Sequence, residues 1–221
     1  MGLSAATHRE GYSVRVQKDA KTPLQYTHVV GIDEVGRGPL AGPVAVCAAA
    51  VAADFNIATE IPGARDSKVM SAALRERVYA TALAARDSGS LMFAVAYGSP
   101  ERIDRDGITA AIAYALGECI SALALAHDRT FVYLDGLLRA PPEYAQETVI
   151  HGDALVPVIS LASVIAKVSR DALMVELAHE YPQYGFEHHK GYGTAAHIRA
   201  LKAYGPSPLH RRSFIRKILV D

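Results

Sequence analysis

One stretch of this chain, residues 29–44, constrains its fold more than any other, and it reads VVGIDEVGRGPLAGPV. An apolar run ends in the adjacent carboxylates Asp33 and Glu34, a glycine-rich turn follows, and a second apolar run begins at once. This pattern predicts strands over residues 28–33 and 43–51, joined as a hairpin-like pair. Because adjacent carboxylates repel each other, a fold that keeps them at a strand end usually supplies a cation or a shared proton. The stretch therefore predicts a site as well as a fold.

The rest of the chain alternates between short apolar strands and longer helices. Further strands are predicted at residues 91–97, 130–134 and 148–150, and helices at residues 72–86, 108–126, 158–179 and 195–203. This order favours an α/β fold with a mixed central sheet and helices on both faces. Residues 1–26 are predicted to be a loosely ordered extension, residues 27–193 the main domain, and residues 194–221 a helical basic segment packed on it.

Composition and charge exclude several classes of protein. The 221 residues carry 23 basic and 23 acidic side chains, so the net charge indicates no anionic partner. The first residues contain no apolar export signal, and no uncharged run is long enough to cross a membrane. Cys47 and Cys119 lie in apolar surroundings and are predicted to be core residues, not disulfide partners. We expect a cytoplasmic protein, monomeric and without a membrane partner.

Local charge is more informative at the C-terminal end. Residues 188–217 contain seven Lys and Arg, four His and no acid. Two interpretations remain open: a solvated face, and a segment that contacts phosphates.

Four carboxylates follow strand-like runs: Asp33, Glu34, Asp135 and Asp153. Because the ends of neighbouring strands can lie side by side, these acids are predicted to share one rim of the sheet. Oxygen ligands suit Mg²⁺ or Mn²⁺, and two such ions about 4 Å apart can stabilise the entering and leaving oxygens of phosphoryl transfer. Zinc is disfavoured because the chain has no Cys-x-x-Cys or His-x-x-x-His pair. The chemistry indicated is phosphodiester hydrolysis.

Two other readings of these residues remain. Taken singly, Asp135 and Asp153 could each be a turn or capping residue. The glycines of the turn also resemble a dinucleotide fingerprint, but their spacing is G-x-G-x-x-x-G, and no helix is predicted to follow.

Several ordered motifs together resemble the type 2 ribonucleases H, the ribonuclease HII family. They are GIDEVGRGPLAGPV at 31–44, DSK at 66–68, DG at 135–136, GD at 152–153, ASVIAKVSRD at 162–171 and HKGYGT at 189–194. The resemblance implies a ribonuclease H-like fold. It also implies an endonuclease that cuts the RNA strand of RNA/DNA hybrids and nicks 5′ to ribonucleotides embedded in duplex DNA. The products would be a 3′-hydroxyl and a 5′-phosphate, and the implied role is removal of misincorporated ribonucleotides and RNA primers.

The resemblance also implies roles for individual residues. Asp33, Glu34, Asp135 and Asp153 match the catalytic, metal-binding acids, with Asp33 and Asp135 expected to bridge two Mg²⁺ or Mn²⁺ ions. Other positions match the residues that bind RNA/DNA hybrid or ribonucleotide-containing DNA: the GRG motif of Gly36, Arg37 and Gly38, which reads the 2′-hydroxyl, and Tyr192, which packs on the adjoining deoxyribose.

Phosphate contacts are predicted for Lys68, Lys167 and Arg170, with assistance from Ser163. For Lys167 and Arg170, a solvated helix face is the alternative. Where the family usually has Lys before the last Gly-Asp, this chain has His151, which titrates in a more acidic range. Two other classes stay open: a non-catalytic hybrid-binding protein and a nicotinamide-dependent enzyme.

Overall fold

The computed structural model describes residues 25–64, 67 and 69–219. Its sheet has the strand order β3-β2-β1-β4-β5. These strands are β1 (His28–Val35), β2 (Val44–Ala52), β3 (Leu91–Gly98), β4 (Thr130–Asp135) and β5 (Ala145–Val149). β2 pairs antiparallel with β1 and β3, whereas β4 pairs parallel with β1 and β5. The predicted mixed sheet is confirmed.

Helices connect and cover these strands. In chain order they are α1 (Ile57–Glu60), α2 (Ala72–Asp87), α3 (Pro100–Asp106), α4 (Ile108–Leu123), α5 (Gly152–Leu155), α6 (Pro157–Glu180), α7 (Phe186–His189), α8 (Ala195–Tyr204) and α9 (Arg212–Ile215). Several begin at a side-chain cap; Ser71, for example, accepts a hydrogen bond from the backbone N–H of Leu74 at the start of α2, as its sequence predicts.

Both faces of the sheet are buried, because successive side chains of β2 point into two different helical layers. Val46 and Ala48 pack in a core that includes α4, whereas Cys47 and Ala49 pack in a core that includes α2 and α6. Small apolar residues let helices approach from either side. Cys47 and Cys119 are buried with free thiols, as predicted.

The longest helix, α6, begins in direct contact with the central strand. A Cβ atom at Gly31 of β1 would lie 2.3 Å from the backbone carbonyl of Val158, so only glycine permits this approach. The contact brings the first turn of α6, and α5 just before it, to the edge of the sheet where β1 and β4 end.

The structure differs from the sequence prediction mainly in short elements. Helices α1, α3, α5, α7 and α9, of four to seven residues, were not predicted, because segments this short carry little periodicity. β5 covers residues 145–149, not 148–150. Among the described helices, none combines the length and apolar character needed to cross a membrane. Residues 1–24 lie outside the described residues, so the predicted extension stays a prediction.

Candidate active site

The register of the two parallel strands brings the first acids together. The parallel pairing of β1 with β4 runs as far as Ile32 opposite Leu134, so Asp33 and Asp135 follow at the same edge. β1 itself continues to Val35 through its antiparallel pairing with β2. Asp33 and Glu34 therefore lie within β1 and not after it, but beyond the last pair that β1 forms with β4.

Asp33 is the most perturbed carboxyl group of this cluster. Asp33 is only 3% exposed to solvent. Burial, together with the charges of Glu34 and Asp135, raises its pKa to about 8, although a hydrogen bond from Ser163 opposes the shift. The backbone N–H of Glu34 also donates to Asp33 Oδ1 at 2.8 Å. An acid in this position holds a proton, or needs a cation in its place.

Glu34 has one oxygen paired and one oxygen buried alone. Arg37 Nη1 donates to Glu34 Oε1 at 2.9 Å. Glu34 Oε2 is buried and has no hydrogen-bond partner among the residues that the structure describes. Burial also raises the pKa of Glu34, although Arg37 opposes the shift. A buried oxygen without a partner is costly unless a ligand satisfies it.

Asp135 and Asp153 are linked through one glycine. The backbone N–H of Gly152 donates to Asp135 Oδ1 at 2.7 Å. Asp153 is the next residue, in the first turn of α5, and it is 3% exposed. Ser160 Oγ of α6 donates to the backbone carbonyl of Asp153 at 2.7 Å, which ties α5 to α6. His151, the residue that departs from the family pattern, is exposed and has a left-handed backbone with φ 56°.

The predicted metal site is tested by how these acids are arranged. Within residues 25–64, 67 and 69–219, no group of three His, Cys, Asp or Glu side chains is disposed to hold a metal ion. The chemistry of the acids nevertheless suits a metal ion. The charge of Asp135 raises the pKa of both Asp33 and Glu34, and Glu34 Oε2 has no hydrogen-bond partner among the described residues. Hard oxygen donors and mutual repulsion both favour a divalent cation.

The glycine-rich segment 36–43 is shaped by two buried arginines. Arg211 donates to the carbonyl oxygens of Gly36, Arg37 and Gly42 at 2.7, 2.9 and 2.9 Å. Burial, together with the neighbouring charge of Arg170, lowers the pKa of Arg211 to about 9, so it remains charged at neutral pH. The segment joins two antiparallel strands and opens no helix, which contradicts the dinucleotide-binding alternative.

Arg170 is the clearest correction to the predicted site. It was assigned either a phosphate contact or a solvated helix face, yet it is fully buried. Its guanidinium donates to the carbonyl oxygens of Pro43, Ala41 and Lys190 at 2.9, 3.3 and 3.0 Å. Arg170 therefore supports the segment from beneath and presents no surface to a substrate.

Other predicted contacts differ in how they are placed. Ser163 is 1% exposed and bonds to Ser67 Oγ at 2.8 Å, so it supports Asp33 and does not face solvent. Lys167 is partly exposed and pairs with Asp171 at 2.9 Å. Tyr192 is 41% exposed. Lys68 lies outside the described residues.

The basic C-terminal run divides into two groups that sequence reasoning did not separate. Arg199, Lys202, Arg212, Arg216 and Lys217 are exposed, but Arg211 is 0% exposed and His197 and His210 are buried with it. Arg211 was missed as a site-forming residue because it lies in a run rich in basic residues, and such runs usually face solvent.

The mixed five-stranded sheet, flanked by helices and with acids where two parallel strands end, is the arrangement of a ribonuclease H-like fold. Solved structures agree: the ribonuclease H2 of Pyrococcus horikoshii OT3 superposes with a TM-score of 0.66 at 25% identity, covering 87% of this chain and 97% of that one. Bst-RNase HIII in complex with Mn²⁺ gives 0.64 at 19% identity, covering 97% and 76%.

Sequence comparison gives the family. The profile of Ribonuclease HII matches residues 30–217. Ribonuclease HII of Acidovorax sp. (strain JS42) is 45% identical over 186 residues, which is 84% of each chain. The protein belongs to the ribonuclease HII family and is a nuclease with ribonuclease H activity.

Proposed function

We propose that this ribonuclease cuts the RNA strand of RNA/DNA hybrids and nicks duplex DNA on the 5′ side of an embedded ribonucleotide, leaving a 3′-hydroxyl and a 5′-phosphate. The observation that carries the proposal is the position of Gly36, Arg37 and Gly38, which directly follow the acids of β1. Chemistry and sugar recognition would then act on neighbouring atoms of one nucleotide.

Gly38 supports the sugar-reading role because nothing within the described protein requires a glycine there. Its φ is not in the left-handed region, it is exposed, and a Cβ added to it would meet no atom within 4 Å. Gly36 differs: its φ is +95°, and a Cβ would lie 2.2 Å from Arg170 Nε. An unforced glycine at a site edge favours close approach of a ligand to the backbone. A 2′-hydroxyl, which both donates and accepts, suits such a backbone surface.

The acids Asp33, Glu34, Asp135 and Asp153 would hold the divalent cations, for which we propose two Mg²⁺ or Mn²⁺. When bound, such cations stabilise charge on the phosphate and activate water. The Mn²⁺ complex of Bst-RNase HIII supports this choice. Within the chain, Ser163 and the Glu34 N–H orient Asp33, and the Gly152 N–H orients Asp135.

Lys167, Lys68 and the exposed bases of residues 199–217 are the proposed phosphate contacts. Tyr192 would pack on the deoxyribose beside the ribonucleotide, and its exposed ring is available for that contact. We also propose that the protein removes misincorporated ribonucleotides and RNA primers, and that it is cytoplasmic and monomeric. Its main domain would cover residues 27–193, between the N-terminal extension and the helical basic segment.

The direct test is a DNA duplex that contains one ribonucleotide, incubated with Mg²⁺, Mn²⁺ or chelator, with the nick mapped at nucleotide resolution. A metal-dependent nick on the 5′ side of the ribonucleotide is expected. A hybrid-binding protein without catalysis would retain the duplex but leave it intact in every metal.

Asp135→Asn should abolish cleavage while the protein stays folded, because the amide keeps the shape of the side chain but loses its charge. Cleavage and thermal unfolding are measured together on the same preparation. Full activity of this variant in Mg²⁺ would refute the assignment of Asp135.

A further inference from the structure

Three histidines form a buried cluster beside the turn that carries Tyr192, and no role proposed above uses them. We call His189, His197 and His210 the histidine cluster. His197 and His210 are 0% and 1% exposed. The His197 ring stacks on His189 at 4.4 Å between ring centroids and meets the edge of Phe186 at 5.5 Å.

The hydrogen bonds of this cluster admit one assignment of protons. The backbone N–H of Ser207 donates to His210 Nδ1 at 3.0 Å, so this nitrogen carries no proton. The proton of neutral His210 is then on Nε2, which donates to His197 Nε2 at 3.0 Å. His197 must therefore be protonated on Nδ1, which donates to the carbonyl oxygen of Tyr192 at 2.9 Å.

Both imidazoles are suited to remain neutral. Burial lowers the pKa of His197, and burial with the charge of neighbouring groups lowers that of His210 to about 4. When both rings are neutral, every hydrogen bond of the series donates in the same direction. The series begins at the Ser207 N–H, after α8, passes through His210 and His197, and ends at the Tyr192 carbonyl.

The Tyr192 peptide is also held from its other side. Its N–H donates to the carbonyl oxygen of His189 at 2.9 Å. The preceding residue, Gly191, accepts a hydrogen bond from Leu40 N–H at 2.8 Å, and a Cβ at Gly191 would lie 2.3 Å from the Ala41 oxygen. The backbone at this turn is therefore held on both sides, while Tyr192 is 41% exposed.

We propose that His197 and His210 are positioning residues: a one-directional chain of hydrogen bonds through their two rings fixes the Tyr192 peptide and so aims its ring at the sugar beside the cut. This inference rests on the proposed function, since it assigns the means by which the substrate-contacting tyrosine is held. Neither histidine touches the substrate.

The first experiment is a double-mutant cycle between His197→Phe and Tyr192→Ala, with kcat/KM measured on the duplex that contains one ribonucleotide. Phe keeps the ring and removes both hydrogen bonds. We expect His197→Phe to lower kcat/KM about tenfold, the value of one well-formed hydrogen bond. Tyr192→Ala should lower it at least as much, and the double variant should be no worse than Tyr192→Ala. Multiplied losses in the double variant would overturn the proposal.

Rescue by a conservative variant separates positioning from packing. In His197→Asn the side-chain amide occupies the place of Nδ1 and can still donate to the Tyr192 carbonyl, so activity should stay within about threefold of the unaltered protein. Loss equal to that of His197→Phe would count against the proposal. His179→Phe and His179→Asn, on an exposed part of α6, are the matched controls.

If His197→Phe does not fold, His210→Asn replaces it in the cycle. The Asn oxygen can accept from Ser207, but the donor to His197 is lost, and His197 is free to take the tautomer that does not donate to Tyr192. The same non-additive loss is expected, and additive loss would refute the proposal.

A readout independent of cleavage distinguishes this inference from the proposed function. The protein contains no tryptophan, so Tyr192→Trp introduces a single tryptophan at the position in question, which can be excited selectively over the remaining tyrosines. His197→Phe in that background should lower its fluorescence anisotropy. Unchanged anisotropy would overturn the positioning role even in an active enzyme, whereas lowered anisotropy in a protein that cuts no ribonucleotide would refute the proposed function alone.

Discussion

At the scale of single residues, the most perturbed group of the site is the carboxyl group of Asp33. In the unfolded chain its carboxyl group would lose a proton near its ordinary pKa of 3.8, but in the folded protein burial, Glu34 and Asp135 raise that pKa to about 8. Between these values the folded state binds more protons than the unfolded state. Stability must therefore fall as pH rises through this interval.

We predict that the metal-free protein loses thermal stability between about pH 4 and pH 8, where about 1 kcal/mol corresponds to 2–4 °C in Tm for a chain of this size. Added Mg²⁺ should restore more stability at pH 8 than at pH 5, because it binds the ionised acids. Thermal unfolding in chelator and in Mg²⁺ measures both effects. Asp33→Asn is the control and should flatten the pH dependence; an unchanged slope would mean that Asp33 does not cause it.

The glycine-rich segment illustrates, at the scale of one element, two different reasons for a glycine. Gly36 has φ +95° and lies against the Arg170 guanidinium, so its backbone and its packing both require glycine. Gly38 has neither constraint in the described protein. The first glycine belongs to the fold, and the second belongs to the proposed substrate contact.

Alanine substitution should separate these reasons. Gly36→Ala is expected to lower the free energy of unfolding by about 1–3 kcal/mol, since it strains the backbone and displaces Arg170. Gly38→Ala should leave stability within about 0.5 kcal/mol yet reduce cleavage at a single ribonucleotide. Urea unfolding and cleavage are compared for both variants. Equal stability losses would contradict the distinction.

The sequence predicts strands and helices well where an apolar pattern is long, and poorly where tertiary contacts determine how a residue is placed. The five strands and the helices over residues 72–87, 108–123, 157–180 and 195–204 follow from apolar runs and caps. Asp33 and Asp135 lie at one edge of the sheet because the parallel pairing of β1 with β4 ends just before them, whereas the metal site predicted from the acids stays a prediction. The predicted role of Arg170 was wrong. Charged residues on a helix usually face solvent, and only the tertiary structure shows that the glycine-rich segment covers this one.

At the scale of the whole molecule, the site depends on links between segments far apart in sequence. Arg211 bonds to Gly36 across 175 positions, and Arg170 bonds to Ala41 across 129. Asp104 accepts hydrogen bonds from the N–H groups of Arg212 and Ser213 at 2.7 and 2.9 Å, which fixes the segment that contains Arg211. No local pattern encodes such links, and this is why Arg211 was missed.

Arg211→Met should lower the free energy of unfolding by about 3 kcal/mol, because it leaves buried carbonyl groups of the glycine-rich segment without donors. Cleavage should fall more steeply than stability at a temperature where the variant remains folded. Arg77→Met, at an exposed arginine of α2 that has no proposed role in substrate binding, is the matched control and should change neither. A loss as small as that of the control would show that the segment holds its shape without Arg211.

The span of these links also sets the order in which the enzyme is completed during its own synthesis. The acids of β1 and the glycine-rich segment are translated early and leave the ribosome first, and domains begin to fold as they emerge. The arginine that holds three of that segment's carbonyl groups is made 175 residues after Gly36. A nascent chain therefore carries Asp33, Glu34 and the glycine-rich segment long before the arginine that holds this segment in shape has been made.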